Sequence, residues 1–139
     1  MTDCPMCRKW DDDVDLQIAE FDSCYVLLNR DQFFKGYCFV FTKEHVTELF
    51  HLNSTTRQAV IEEVNQVAQA LATVFKPTKI NYELLGNMVP HMHWHLVPRF
   101  ESDPLWPRPI WSEVHEELYL TKAEYAERIK LIREGLKGF

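Results

Sequence analysis

The sequence lacks any dense run of lysine or arginine and any long apolar stretch. Its 15 Lys and Arg residues are outnumbered by 21 Asp and Glu residues, for a net charge of −6 with histidine neutral. This balance argues against binding to nucleic-acid polymers, whose affinity comes mainly from phosphate neutralisation, but not against one small anionic ligand. Because no apolar run approaches the roughly 20 residues that a spanning helix needs, we expect no membrane association.

The start of the chain also lacks the pattern of a signal peptide, since Met1 is followed by polar residues. We therefore do not expect the four cysteines to form disulfides, and we predict a reducing, cytoplasmic location. No repeat, low-complexity tract or linker divides the chain, and 46% hydrophobic residues can supply one core. The sequence thus predicts one domain over 1–139, with a lead-in at 1–15 and a C-terminal extension at 101–139.

Residue patterning predicts strands, a long helix, further strands and a final helix. The lead-in is predicted as a loop or short turn, and the predicted strands are 18–21, 24–29, 37–42, 79–85 and 91–100. The long helix is predicted over 55–75, with Thr55 and Gln58 as its capping box, and the last helix begins near Thr121, capped with Glu124. This order indicates an α+β fold with a mostly antiparallel sheet.

The segment 104–111 contains three prolines within six positions and two tryptophans. Prolines at that density exclude regular structure, and exposed tryptophans are unfavourable. We therefore predict that this segment packs as an ordered loop, with a subunit interface as one candidate location.

Three of the six histidines alternate in the stretch His91-Met-His-Trp-His. On a strand, side chains two residues apart share one face, so His91, His93 and His95 would stand in a row roughly 7 Å apart. The opposite face carries Met92, Trp94 and Leu96 and is predicted to pack on the long helix. A row of imidazoles suits binding of one small charged group, nucleophilic catalysis or metal ligation. From the residues alone, a catalytic metal held by all three histidines is also an open alternative.

The stretch 91–97 resembles the His-φ-His-φ-His-φ-φ motif of the histidine triad (HIT) superfamily of nucleotide hydrolases and transferases, where φ is an apolar residue. The likeness extends to 26–29, 36–45, Leu49 and the Pro98-Arg99 pair, and so covers roughly 15–100. It implies a HIT-like fold, with a five-stranded antiparallel sheet, a long helix on one face and a C-terminal helix. It also implies a homodimer and no organic cofactor.

The resemblance further implies a catalytic set made of His91, His93 and His95. His93 would attack the α-phosphate of a dinucleoside polyphosphate or nucleoside phosphoramidate to form a nucleotidyl-histidine intermediate, and water would then hydrolyse it. His95 would donate a hydrogen bond to the phosphate or to the leaving group. Since the uridylyltransferase branch has glutamine at this position, His95 favours hydrolysis over transfer. Asn29 would hold the ribose hydroxyls, although a turn residue is the alternative interpretation.

Two positions depart from the family pattern, which often has Gln and then Ser or Thr six and five residues before the nucleophile. Asn87 stands at the first and can donate a hydrogen bond to substrate, whereas Met88 stands at the second and cannot. A non-catalytic nucleotide- or zinc-binding module and a nucleotidyltransferase are therefore the alternative functions. We expect Arg99 to be a salt-bridged surface residue.

The Cys4-Pro-Met-Cys7 stretch has the spacing of half a zinc site. The resemblance completes the site with His45 and His91, which predicts at most one structural zinc per chain; in zinc-free relatives the residue at His45 lies near the phosphate instead. The other two cysteines, Cys24 and Cys38, lie in apolar strands and are predicted as core residues. No role is assigned to the two remaining histidines, at positions 51 and 115.

Overall fold

The computed structural model describes residues 3–138, and its centre is one five-stranded antiparallel sheet. The strands are Gln17–Glu20 (β1), Cys24–Leu28 (β2), Cys38–Thr42 (β3), Lys79–Glu83 (β4) and His93–Arg99 (β5). Their order in the sheet is β1-β2-β3-β5-β4. Three α-helices complete the fold: Pro5–Asp12 (α1), Ser54–Phe75 (α2) and Lys122–Leu136 (α3). The predicted α+β class and five-stranded antiparallel sheet are confirmed.

The long helix α2 covers one face of the sheet, as predicted. It contacts β5 and β4, and it buries an apolar stripe that includes Val64, Val67 and Leu71. Trp94 and Leu96 of β5 belong to the same buried cluster. The predicted capping box of α2 is wrong, because the helix starts earlier than expected. Its N-cap is residue 53, an asparagine whose Oδ1 accepts a hydrogen bond of 2.9 Å from the Thr56 amide.

The C-terminal helix α3 packs against α2 and β1 through Tyr125, Ile129 and Ile132. Its predicted capping box is present: Thr121 Oγ1 accepts from the Glu124 amide, and Glu124 Oε1 accepts from the Thr121 amide. The residues that follow the family-like segment therefore contribute to the same core.

The lead-in is not the predicted loop. Residues 5–12 form helix α1, with Pro5 in its first turn and a 2.9 Å pair between Lys9 and Asp13 near its end. Met6 is buried, and Trp10 stacks on Tyr25 of β2 with 4.5 Å between ring centroids. These two apolar contacts hold the lead-in against the rest of the fold. Its polar composition had indicated that it would contribute little to the core.

The proline- and tryptophan-rich segment 104–111 is an ordered loop whose Leu105 and Ile110 are buried with Tyr37 and Val97. Trp111, in contrast, is 56% exposed, so burial of both tryptophans is not observed. Within residues 3–138, the structure contains no helix with the length and apolar character needed to cross a membrane.

Candidate functional site

Strand β5 lies between β3 and β4, and this central position places two of the three alternating histidines. His93 is the Cα partner of Phe41, and His95 is the Cα partner of Phe39. His91 lies before the strand rather than in it, so the predicted start at residue 91 is wrong. There the Met92 amide donates to the carbonyl of Val46, which lies after β3, while the Met92 carbonyl still accepts from Thr42 at the end of β3.

The His93 ring is fixed by its own strand. Its Nδ1 lies 2.6 Å from the His91 carbonyl oxygen, which can only accept a hydrogen bond, so Nδ1 carries the proton. In the uncharged form of the ring, the lone pair is then on the other nitrogen, Nε2. The ring is buried to 7% exposure and stands 4.9 Å from that of His95, centroid to centroid. The bond therefore selects the tautomer of the imidazole in which Nε2 is the nitrogen that can act as a nucleophile.

His95 makes its hydrogen bond to a residue that the sequence analysis did not identify. The Tyr37 hydroxyl lies 2.6 Å from His95 Nδ1. Burial, with a smaller contribution from His93, lowers the pKa of His95 to about 4, so this imidazole is neutral at pH 7. Burial also raises the pKa of Tyr37, which keeps its hydroxyl protonated. No motif signals Tyr37, because the pair is 58 residues apart in sequence.

His91 points away from this pair and into a cluster of potential metal ligands. Its Nε2 donates a 2.7 Å hydrogen bond to the Thr42 carbonyl, while Nδ1 lies 3.5 Å from the sulfur atoms of both Cys4 and Cys7. His45 Nδ1 is 3.2 Å from His91 Nδ1 and 3.2 Å from Cys7 Sγ. All four ligand atoms lie within 4.8 Å of one another, so these residues could hold one metal ion.

The three alternating histidines do not share a metal site. Of the ring nitrogens that could bind an ion, His93 Nδ1 is bonded to a carbonyl and His95 Nδ1 to a hydroxyl, while His91 faces the cysteines. Among residues 3–138, the cluster with Cys4, Cys7 and His45 is the only group that could hold an ion. The structure therefore gives no support to one catalytic metal bound by all three.

Two cavities meet at His93 and His95. The first, of about 380 Å³, lies beside helix α1, and its lining includes Arg8, Lys9 and Phe39. The second, of about 270 Å³, is mainly apolar, and its lining includes Asn87, Met88 and Trp111. A ligand centred on the two histidines would thus have room on both sides.

The two predicted substrate-binding asparagines differ in their surroundings. Asn87 lines the second cavity, next to Met88, whose side chain is 94% exposed. Asn29 is not among the residues that line either cavity, and its Nδ2 donates to the Asp31 carbonyl at 2.9 Å. That bond is the local contact expected of a turn residue, and a role in ribose binding stays a prediction.

Arg99 is not the surface residue that we expected, since it is only 1% exposed. Strand β5 stays regular past Pro98, which directs Arg99 to the same face as His93 but at the far end of the strand. Its Nε donates to Asp103 Oδ2 at 2.6 Å and its Nη1 to Asn81 Oδ1 at 2.8 Å. Arg99 thus supports the loop that follows β5.

Trp111 is a second residue near the histidines that the sequence analysis did not place. Its ring lies edge-on to His95 at 5.5 Å, and its Nε1 donates to Glu83 of β4. The proline-rich sequence around Trp111 indicated an ordered loop, but it did not indicate that the loop lies beside the histidines. His115, to which no role was assigned, stacks on Phe33 at 3.9 Å between centroids, outside both cavities.

Comparison with known proteins gives a family match. The HIT domain model matches residues 13–102. An uncharacterised HIT-like protein of Mycoplasma genitalium is 28% identical over 91 residues, which are 62% of this chain and 64% of that protein. The chain spans less than two thirds of the length of the curated relatives that it matches.

Solved structures agree with this match. A HIT protein from Sinorhizobium meliloti superimposes with a TM-score of 0.83 and 26% identity, over 97% of this chain and 98% of that chain. A Zn-bound HIT family protein from Mycobacterium smegmatis gives a TM-score of 0.71 at 21% identity, over 99% and 95% of the two chains. The second likeness shows the fold alone.

Proposed function

This chain belongs to the histidine triad family, and we propose that it is a hydrolase acting on the α-phosphate of a nucleotide. The substrate would be a dinucleoside polyphosphate or a nucleoside phosphoramidate. The observation that carries this proposal is the 2.6 Å bond from His93 Nδ1 to the His91 carbonyl, because it selects the tautomer whose lone pair is on Nε2, in a ring that lines both cavities. A neutral imidazole nitrogen in that position is the nucleophile that the reaction needs.

In the first step, His93 Nε2 attacks the α-phosphorus, and a nitrogen–phosphorus bond forms as the bond to the leaving group breaks. The imidazole becomes positively charged, and the His91 carbonyl stabilises this charge through its bond to Nδ1–H. His95 donates a hydrogen bond to the phosphate or to the departing atom. In the second step water attacks the same phosphorus as the nitrogen–phosphorus bond breaks, which releases the nucleotide and returns the electron pair to His93 Nε2. The proton of the attacking water passes to solvent.

The two cavities support this reaction because the scissile bond has a group on each side. One cavity would take the nucleoside and the other the leaving group, with the α-phosphate beside the histidines. Asn87 is available in the second cavity as a donor, whereas Met88 offers only apolar contact there.

The test is a trapping and turnover experiment with His93→Ala, using His51→Ala as a control at an exposed histidine outside the site. Wild type and the control should hydrolyse one of the two substrate classes, and His93→Ala should lose at least about 10³-fold in rate. Wild type incubated with radiolabelled nucleotide should carry an acid-labile label that His93→Ala lacks. Unchanged hydrolysis by His93→Ala would refute the mechanism.

The same experiment separates the alternatives. Label that passes to a sugar phosphate faster than to water would indicate a nucleotidyltransferase. Nucleotide binding without label or turnover would indicate a non-catalytic module.

We also propose that Cys4, Cys7, His45 and His91 bind one structural zinc ion. A tetrahedral zinc with the usual bond lengths requires nitrogen–sulfur separations of about 3.6 Å and a nitrogen–nitrogen separation of about 3.3 Å. Three of the four nitrogen–sulfur pairs are separated by 3.5, 3.5 and 3.2 Å, and the two nitrogens by 3.2 Å. The fourth pair, Cys4 with His45, lies within 4.8 Å. The bond from His91 Nε2 to Thr42 leaves Nδ1 free as a ligand.

The zinc proposal predicts one zinc per chain by elemental analysis and a loss of zinc in Cys7→Ser, with Cys24→Ser as the control at a buried cysteine outside the cluster. Zinc at full occupancy in Cys7→Ser would contradict it. The Zn-bound M. smegmatis protein of the same fold is consistent with this proposal. With two thiolates and two imidazoles, the ion would have no open position, and its part would be to hold α1 on the sheet.

We propose finally that the chain forms a homodimer through the edge of the sheet at β4. No strand in the described part of the chain, 3–138, pairs with the outer side of β4. Exposed apolar side chains lie along this edge strand or just after it, namely Tyr82, Leu84, Leu85 and Met88. Such an edge is normally covered. Sedimentation should give twice the chain mass, and Tyr82→Lys should shift the protein towards monomer, whereas a monomeric wild type would refute the proposal.

A further inference from the structure

We propose that Tyr37 is a positioning residue that donates a hydrogen bond to His95 and thereby fixes the His95 tautomer with its proton on Nε2. His93 and His95 would then be neighbouring imidazoles in opposite tautomers, one presenting a lone pair to the cleft and the other an N–H donor. The catalytic consequence of this inference rests on the proposed hydrolase function, but the tautomer itself does not.

The first observation is the contact itself. The Tyr37 oxygen and His95 Nδ1 are 2.6 Å apart, and both residues are buried, with 5% and 7% exposure. Burial excludes the water that would otherwise exchange with either partner. Only one proton can lie between the two atoms, so the direction of this bond decides which His95 nitrogen carries the hydrogen.

The direction follows from counting donors. Within residues 3–138, His95 Nδ1 is the sole hydrogen-bond partner of the Tyr37 hydroxyl. If Nδ1–H donated to the hydroxyl, the phenolic hydrogen would be buried without an acceptor, which is costly. Nδ1 therefore accepts, and the hydrogen of neutral His95 resides on Nε2.

The backbone around Tyr37 is held in place by several contacts. The Gln32 side chain donates to the Tyr37 carbonyl at 3.0 Å and accepts from the Gly36 amide at 2.9 Å. Gly36 has φ of +88°, and a Cβ there would lie 2.8 Å from the Phe75 ring. Arg128 of α3 donates to the same Gln32 oxygen at 3.0 Å. The hydroxyl thus reaches His95 from a rigid turn.

The partner of His93 has the opposite effect. A backbone carbonyl holds the proton on Nδ1 of His93, whereas a phenol draws the proton away from Nδ1 of His95. The two rings stand 4.9 Å apart on the same face of β5. A phosphate between them would meet a nucleophilic nitrogen from one ring and a hydrogen-bond donor from the other.

The test is nitrogen-15 NMR of histidine-labelled protein, in which the shifts and couplings of the two ring nitrogens distinguish the tautomers. We expect wild-type His95 to be protonated on Nε2 and His93 on Nδ1. In Tyr37→Phe, His95 should become a mixture of tautomers while His93 is unchanged. The control Tyr119→Phe, at an exposed tyrosine that lines neither cavity, should leave both spectra as in wild type.

Steady-state kinetics provide the second readout. Tyr37→Phe should lower kcat by about 10- to 100-fold with little change in KM. Without the Tyr37 hydroxyl, the His95 proton is no longer held on Nε2, where it would stabilise the transition state. Wild-type His95 protonated on Nδ1 would overturn the inference, as would a Tyr37→Phe variant with unchanged His95 signals or unchanged kcat in a hydrolysing enzyme. The wild-type spectrum tests the proposed His95 tautomer even if the Tyr37→Phe variant fails to fold. The expected tautomers in a protein without turnover would support the positioning role and contradict only the hydrolase proposal.

Discussion

Lowering the pH from 7 to 4.5 should cost the protein about 2–3 kcal/mol of unfolding free energy through His95 alone. Burial, followed by the charge of His93, lowers the pKa of His95 from 6.5 to about 4. In the unfolded chain this imidazole has its ordinary pKa, so between pH 6.5 and 4 the unfolded state binds a proton that the folded state does not. Stability is therefore fully present above pH 6.5 and is lost as the pH falls towards 4.

The size of this loss in unfolding free energy follows from the pH range between the unfolded and folded pKa values of His95. Each pH unit inside it changes the unfolding free energy by about 1.4 kcal/mol, and the two units from pH 6.5 to 4.5 give an upper value near 2.7 kcal/mol. Below pH 4 both states are protonated, so His95 contributes no further loss.

The assay compares urea unfolding of wild type and His95→Gln at pH 7 and pH 4.5. Glutamine has a polar side chain that does not titrate, so its variant should lose about 2–3 kcal/mol less than wild type on acidification. The other titrating groups are present in both proteins, and their contributions cancel in the difference between the two losses. If the two proteins lost the same unfolding free energy between pH 7 and pH 4.5, the reasoning would be refuted. A neutral buried His95 requires that wild type lose more than His95→Gln.

Three further changes should affect stability. Gly36→Ala should cost roughly 1–3 kcal/mol in urea unfolding, since φ is +88° and the added Cβ meets the Phe75 ring; no change would contradict that conformation. Thr121→Ala should lower the stability by about 1 kcal/mol through loss of the α3 capping box, measured by thermal unfolding. Arg99→Met should cost about 3–5 kcal/mol because it leaves the buried Asp103 unpaired, and a second change, Asp103→Leu, should restore part of the loss.

Much of the fold could be predicted because its signals are local. Strict alternation of polar and apolar residues placed His93 and Trp94 on opposite faces of β5, and the capping residues of α3 are three positions apart. Helix α1 was missed because its stability depends on two contacts with distant residues, such as the stacking of Trp10 on Tyr25. Its own sequence is too short and polar to indicate a helix by periodicity.

The four potential metal ligands could be grouped from the sequence, but the orientation of the histidine rings could not. Spacing and resemblance brought Cys4, Cys7, His45 and His91 together, and the structure places their ligand atoms within 4.8 Å of one another. Alternation could say which face each histidine occupies, but the proton on each ring depends on the partner atom that reaches it. For His95 that partner comes from a turn 58 residues earlier, which no local pattern encodes.

His91 connects the two halves of the site. Its ring belongs to the cluster that could hold a metal, and its carbonyl oxygen accepts the bond that orients His93. The ring is fixed in turn by the bond from Nε2 to Thr42, the last residue of β3. Because His91 lies outside the regular part of β5, the sheet alone does not determine where its carbonyl points. Ligation of the His91 ring would restrain that same residue, so the metal cluster and His93, the proposed nucleophile, share one structural support.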